Sequence, residues 1–112
     1  MELKIFTTSG YWMIVPVSQL LFFHRTEGIT YLHLLNGEQH RIQVSLKAVE
    51  AQLNSPYFFR CHASYLVAMN HITQIDKING YVLILKGNVS VPVATCQRAL
   101  LLARLKVLYP GP

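Results

Sequence analysis

Cys61 and His62 are neighbours, and a thiol beside an imidazole raises the chemistry of a histidine-activated cysteine nucleophile. On a strand, however, adjacent side chains point to opposite faces, so this adjacency separates the two groups in space. Acid–base work by paired carboxylates needs two acids in one cleft. The chain holds five, Glu2, Glu27, Glu38, Glu50 and Asp76, and no pair stands out. The five histidines, His24, His33, His40, His62 and His71, and the cysteines Cys61 and Cys96 follow no recognised metal-ligand spacing. No glycine-rich phosphate loop is present either. These residues leave an enzyme without a candidate site and call for no metal or cofactor.

The cations say more. Residues 1–55 balance Lys4, Arg25, Arg41 and Lys47 against four glutamates, whereas residues 56–112 set Arg60, Lys77, Lys86, Arg98, Arg104 and Lys106 against Asp76 alone. The whole excess of +5 therefore sits in the second half, where it favours a polyanionic partner, nucleic acid or an acidic membrane surface. An apolar share of 52% against 13% charged residues excludes a disordered tail and permits self-association as a homodimer. Two cysteines make no disulfide scaffold, and the sequence shows neither a signal-peptide pattern nor an apolar run of membrane-spanning length. A reduced, cytoplasmic setting without a membrane partner is expected. A length of 112 residues fits one domain, 1–112.

The elements that must position these residues are mostly strands. Glu2 to Thr7 alternate in polarity, and Tyr11 to Val15 form an apolar run that reads as a buried strand ending at Pro16. Val17-Ser18-Gln19 reads as one helical turn or loop. Leu20 to Arg25 and Ile29 to Leu35 are strands joined by Thr26-Glu27-Gly28. Asn36-Gly37 predicts a type I′ hairpin leading into Glu38–Val44. Ser45 caps a two-turn helix that carries Leu46, Val49 and Leu53 on one stripe and stops at Asn54-Ser55-Pro56. More strands follow, with hairpin turns at Asn79-Gly80 and Lys86-Gly87-Asn88. A last helix from Thr95, which is placed to cap it, runs to Tyr109 and ends at Pro110-Gly111-Pro112. The expected fold is mainly β with short helices, and the absence of alternating βαβ units disfavours a parallel nucleotide-binding sheet.

Read as one strand, Arg60 to Val67 place Cys61, Ala63, Tyr65 and Val67 on a core face and Arg60, His62, Ser64 and Leu66 on the other. A guanidinium, an imidazole and a hydroxyl in a row can donate to phosphate oxygens or satisfy one another. The run Phe58-Phe59-Arg60-Cys61-His62-Ala63-Ser64-Tyr65-Leu66-Val67 resembles the signature Phe-x-Arg-x-His-Arg-Ser-Tyr-x-Val-Asn of the LytTR DNA-binding domains of bacterial response regulators. Leu20-Leu21-Phe22-Phe23, Ser45-Leu46 with Leu53, Ile72, and Val91-Pro92-Val93 support it in order and spacing, over about residues 13–105.

The resemblance implies short antiparallel sheets with one mid-chain and one C-terminal helix. It also implies binding to direct repeats in double-stranded DNA through loops in the major groove and contacts to the backbone. Carried over by motif, base reading falls near Ile29 or Thr30, on Ala63, and around Cys96. Ala63 stands where the family has Arg or Asn, Ala68 where it has Asn, and Ala94-Thr95-Cys96 where it has Ser-Arg-Arg. Bidentate contacts of Arg or Asn to base edges discriminate by about 1–3 kcal/mol each, so these departures imply altered reading. Nearby groups able to substitute are Arg25, Asn70, His71, Gln97 and Arg98, beside the candidate contacts Thr30, His62, Ser64, Thr95 and Cys96. The same departures leave a second reading open: a domain of this architecture that has lost DNA reading and acts by protein–protein contacts, as a dimerisation partner or inhibitor.

Overall fold

Leu20-Leu21-Phe22-Phe23 is apolar at every position, which a strand needs only if both of its faces are covered. In the computed structural model, which describes residues 1–111, this run opens β3 (Leu20–Thr26), the middle strand of a five-stranded antiparallel sheet. Its neighbours are β4 (Ile29–Leu34) and β5 (Gln39–Ile42) on one side, and β7 (Tyr65–Ala68) and β6 (Phe58–His62) on the other. Phe23 and Leu66 pair across β3 and β7 and enter one core; Phe22 and Val67, one residue along, enter the other.

The first core is closed by the hairpin β1 (Glu2–Phe6) and β2 (Trp12–Pro16), which supplies Leu3, Ile5 and Val15, and by α1 (Leu46–Leu53). Ser45 Oγ accepts from the Ala48 N–H at 3.1 Å, and Leu46, Val49 and Leu53 are the buried stripe that the sequence predicts. The second core is closed by a three-stranded sheet, β8 (Ile72–Asp76), β9 (Val82–Leu85) and β10 (Val89–Pro92), and by α2 (Arg98–Leu108). Short 3-10 turns at Val17–Gln19, Met69–His71 and Thr95–Gln97 lead into β3, β8 and α2. The fold is thus mainly β, in three small antiparallel sheets with a short mid-chain helix and a C-terminal one.

Several local expectations are corrected. The Tyr11–Val15 run is not a buried strand: Val15 is buried, but Trp12 and Ile14 are 69% and 58% exposed, because a two-stranded sheet has only its inner face on the core. Asn36-Gly37 does turn a hairpin, though not as type I′. Only Gly37 has positive φ (91°); its N–H donates to Leu34 O and Leu34 N–H to Glu38 O, giving a three-residue loop in which the Asn36 carboxamide also accepts from Glu38 N–H. In the β8–β9 loop the positive φ values fall on Gly80 and Tyr81, while the Asp76 carboxylate gathers the N–H groups of Ile78 and Asn79. Thr95 makes no capping bond; α2 proper starts at Arg98, after the 3-10 turn. Pro112 lies outside the described residues.

The largest correction concerns residues 60–67, which are two strands. His62 pairs with Tyr65 around the turn Ala63-Ser64, so the two-face alternation holds only within each strand. Two side chains support this turn. His62 Nδ1 accepts from the Ser64 N–H at 3.0 Å, and an Arg60 Nη donates to Ala63 O at 2.8 Å. Neither bond belongs to the glycine, asparagine and proline chemistry by which turns are read from sequence.

Candidate nucleic-acid interface

Three chain segments far apart in sequence meet at one end of the central sheet. The end of β3 is held against the β6–β7 turn by Arg25 N–H donating to Ser64 O at 2.9 Å. The segment before α2 is held against β6 by Ala94 N–H donating to Cys61 O at 2.8 Å. Arg25, His62, Ser64, Thr95, Cys96, Gln97 and Arg98 are therefore brought together on the β3–β4 turn, the β6–β7 turn and the entry to α2. All of these side chains are at least partly exposed.

Each is set by a local interaction. Arg25 Nη1 donates to Thr30 Oγ1 at 2.6 Å across the β3–β4 hairpin. Thr30 itself is 0% exposed, so it fixes the guanidinium and is not a contact surface. With Nδ1 accepting from Ser64 N–H, the neutral His62 ring carries its proton on Nε2, which makes that nitrogen a donor. Arg98 lies over the Tyr81 ring at 4.7 Å. Arg60 Nε, Tyr81 OH, Gln97 Oε1 and Arg98 Nε are buried here without a hydrogen-bond partner among the described residues, as His40 Nε2 and His71 Nδ1 are elsewhere.

Other candidates do not belong to this group. His71 is 5% exposed, and its Nε2 sits 3.0 Å from Ser18 O at the opposite end of the sheet. Asn70 is exposed but shares that 3-10 turn, about 13 Å, one length of β7, from the β6–β7 turn. The cations divide too. Arg60 and Arg98 are at the end of the sheet where the three segments meet, and Lys77 belongs to the loop that ends on Tyr81. Lys86 N–H bonds His71 O, and Arg104 packs over Phe59 and donates to Pro56 O, both elsewhere. Cys61 is fully buried, and burial pushes its thiol up to about 12, which keeps it protonated and inert.

Sequence reasoning missed His24 and Tyr65. Their rings stack at 4.3 Å with 4° between planes, and His62 meets Tyr65 edge-on at 5.7 Å. The signal was present, since cross-strand pairing puts β3 against β7, but only a known register reveals it.

Burial lowers the pKa of His24, His33 and His71 from the ordinary 6.5. The His62 charge adds to the effect at His24 and the His24 charge at His33; at His71 the Ser18 carbonyl opposes it and Lys86 reinforces it. The unfolded chain takes these protons first, so the stability that the neutral rings provide is present above about pH 6.5 and is lost as pH falls below it. The urea midpoint is expected to drop between pH 7.5 and 5.5. A midpoint that holds or rises would contradict neutral native rings.

The LytTr DNA-binding domain family matches residues 10–106 of the chain. Among solved structures, the chain is similar to the LytTr DNA-binding domain of a protein described as a methyl-accepting/DNA response regulator from Bacillus cereus. The TM-score is 0.78 at 27% identity, covering 93% of this chain and 95% of that one. No curated protein matches at a significant level. Among the described residues no helix is long and apolar enough to cross a membrane. A family match over most of its length and a shared fold agree with the signature at Phe58–Val67: the chain belongs to the LytTR family of DNA-binding domains.

Proposed function

We propose that residues 1–112 act as one DNA-binding unit of a bacterial cytoplasmic transcription regulator that reads direct repeats in duplex DNA. The observation that carries this reading is the meeting of three segments at one sheet end, the end of β3 with Arg25, the β6–β7 turn with His62 and Ser64, and the entry to α2 with Arg98, each of these side chains being partly exposed. The reading loops enter the major groove while arginines and N–H donors hold backbone phosphates. Base preference is altered relative to the family pattern. The exposed Ala63 methyl at the turn tip suits a thymine methyl, and the Gln97 amide suits adenine, so A·T pairs replace part of what arginine would read as guanine.

Selection of bound duplexes from a random pool tests this. Enrichment of a spaced, A·T-biased repeat is expected; recovery of no motif, together with no mobility shift in low salt, would sink it. Arg98→Ala is expected to weaken binding several-fold and to reduce the slope of log affinity against log salt by about 1. Unchanged affinity and slope would take Arg98 out of the interface.

A second reading, action through protein contacts including homodimer formation, is favoured by the outer face of β2. Trp12 and Ile14 stand exposed there side by side on one face.

A further inference from the structure

Beyond the three reading segments, strand register builds a row of side chains across the whole central sheet. Arg41 on β5 pairs with Tyr31 on β4, Tyr31 with His24 on β3, His24 with Tyr65 on β7, and Tyr65 with His62 on β6. Partners in register stand on one face, so these five residues form a single ladder of cationic, imidazole and phenol groups. The aromatic contacts along it are close: the Arg41 guanidinium is 5.8 Å from the Tyr31 centroid, and His24 stacks on Tyr65. In the next row His33 stacks on Phe22 at 4.1 Å and 7°.

The row is open at its β3–β4–β5 end. An open basin of ≈ 510 Å³ remains there, lined by His24, Thr26, Tyr31, His33, Gln39 and Arg41. Every lining residue has a group able to donate a hydrogen bond, and none is acidic. Glu38 pairs with His40, which alternates to the other face of β5, and among the described residues no carboxylate lies within salt-bridge distance of Arg41. A guanidinium, two imidazoles, a phenol, a hydroxyl and an amide around one concavity form a donor set without a counter-ion.

The geometry points to an anion site in this basin that takes a phosphate group, with Arg41 as its fixed charge and His24, His33 and Tyr31 as donors. It rests on the DNA-binding reading only for the source of that phosphate. The ladder from Arg41 to His62 runs continuously into the reading end, so a duplex held there would lay backbone phosphates along it. A free phosphate or phosphorylated small molecule offers the same chemistry. Burial lowers the pKa of His24 and His33, whereas a bound phosphate favours the charged imidazoles, so occupancy draws protons onto these rings.

The test uses the full chain and two probes. Inorganic phosphate is titrated at pH 6.5 while the ring C–H resonances of all five histidines are followed, with chloride at equal ionic strength as control. Duplex affinity is measured against salt for the parent, Arg41→Ala and Arg41→Lys. Expected are phosphate-dependent shifts at His24 and His33 but not at His71, lost in Arg41→Ala. Duplex binding should be several-fold weaker in Arg41→Ala, with a salt slope smaller by about 1, and substantially restored in Arg41→Lys. A phosphate response without any change in duplex binding supports the site with a free phosphate as its ligand. A changed salt slope without a phosphate response supports it with the DNA backbone as the source. Absence of both overturns the site and leaves DNA reading standing. If the parent chain binds no duplex, the proposed function fails and the phosphate titration alone decides the basin.

Discussion

Arg25→Ala is expected to lower duplex affinity about 10-fold, and Thr30→Val to reproduce most of that loss although Thr30 never meets solvent. A well-placed arginine contributes about 1–3 kcal/mol at a base edge, and a tenfold change corresponds to about 1.4 kcal/mol. That contribution depends on the guanidinium being held in place before DNA arrives. The 2.6 Å bond to Thr30 Oγ1 supplies the hold, from a residue that β3–β4 pairing sets directly opposite. Valine keeps the buried shape and removes the acceptor, leaving Arg25 partly exposed and free to rotate. Fluorescence anisotropy on the two single variants and the double variant checks the link. The double variant should bind no more weakly than Arg25→Ala alone. Additive losses would show that Thr30 acts by another route.

Phe23→Ala is expected to cost about 3–5 kcal/mol of stability, the range for a large aromatic removed from a packed core. Phe23 is fully buried on the middle strand of the central sheet, in the cluster shared by Leu3, Ile5, Leu32 and Leu66, where backbone pairing on both sides prevents collapse onto the cavity. Since small domains hold about 5–15 kcal/mol in total, the variant should unfold at a far lower urea concentration. DNA affinity measured on the fraction still folded should be near the parent value, because Phe23 faces the core away from the reading segments. A small shift in urea midpoint would mean that the central sheet is more loosely packed than its burial implies.

Much of the fold is legible along the chain because its signals are local. The Ser45 cap and the Leu46, Val49 and Leu53 stripe define α1 within a single window of residues. Leu20 to Phe23 announces a strand covered on both faces, which is what β3 is. The Ala63-Ser64 turn escaped notice because its stabilising groups are the side chains of Arg60 and His62, and a run of strand-forming residues carries no mark of where it folds back. For the same reason the alternation across 60–67 misassigned its faces.

The candidate site divides in a similar way. Arg25, Arg98 and the run Arg60–Tyr65 stand out through residue type and family signature. The demotion of Thr30 to a buried support, the removal of His71 and Asn70 to the far end, and the ladder from Arg41 to His62 do not. These depend on which strands become neighbours and in what register. The sequence by itself determined the strand-rich class, the capped helix, the basic second half and the signature at Phe58–Val67, since each is a property of residues close together in the chain. Only the tertiary structure decided which donors share a surface, because cross-strand register joins residues up to tens of positions apart and a shift of one residue would turn every side chain to the other face.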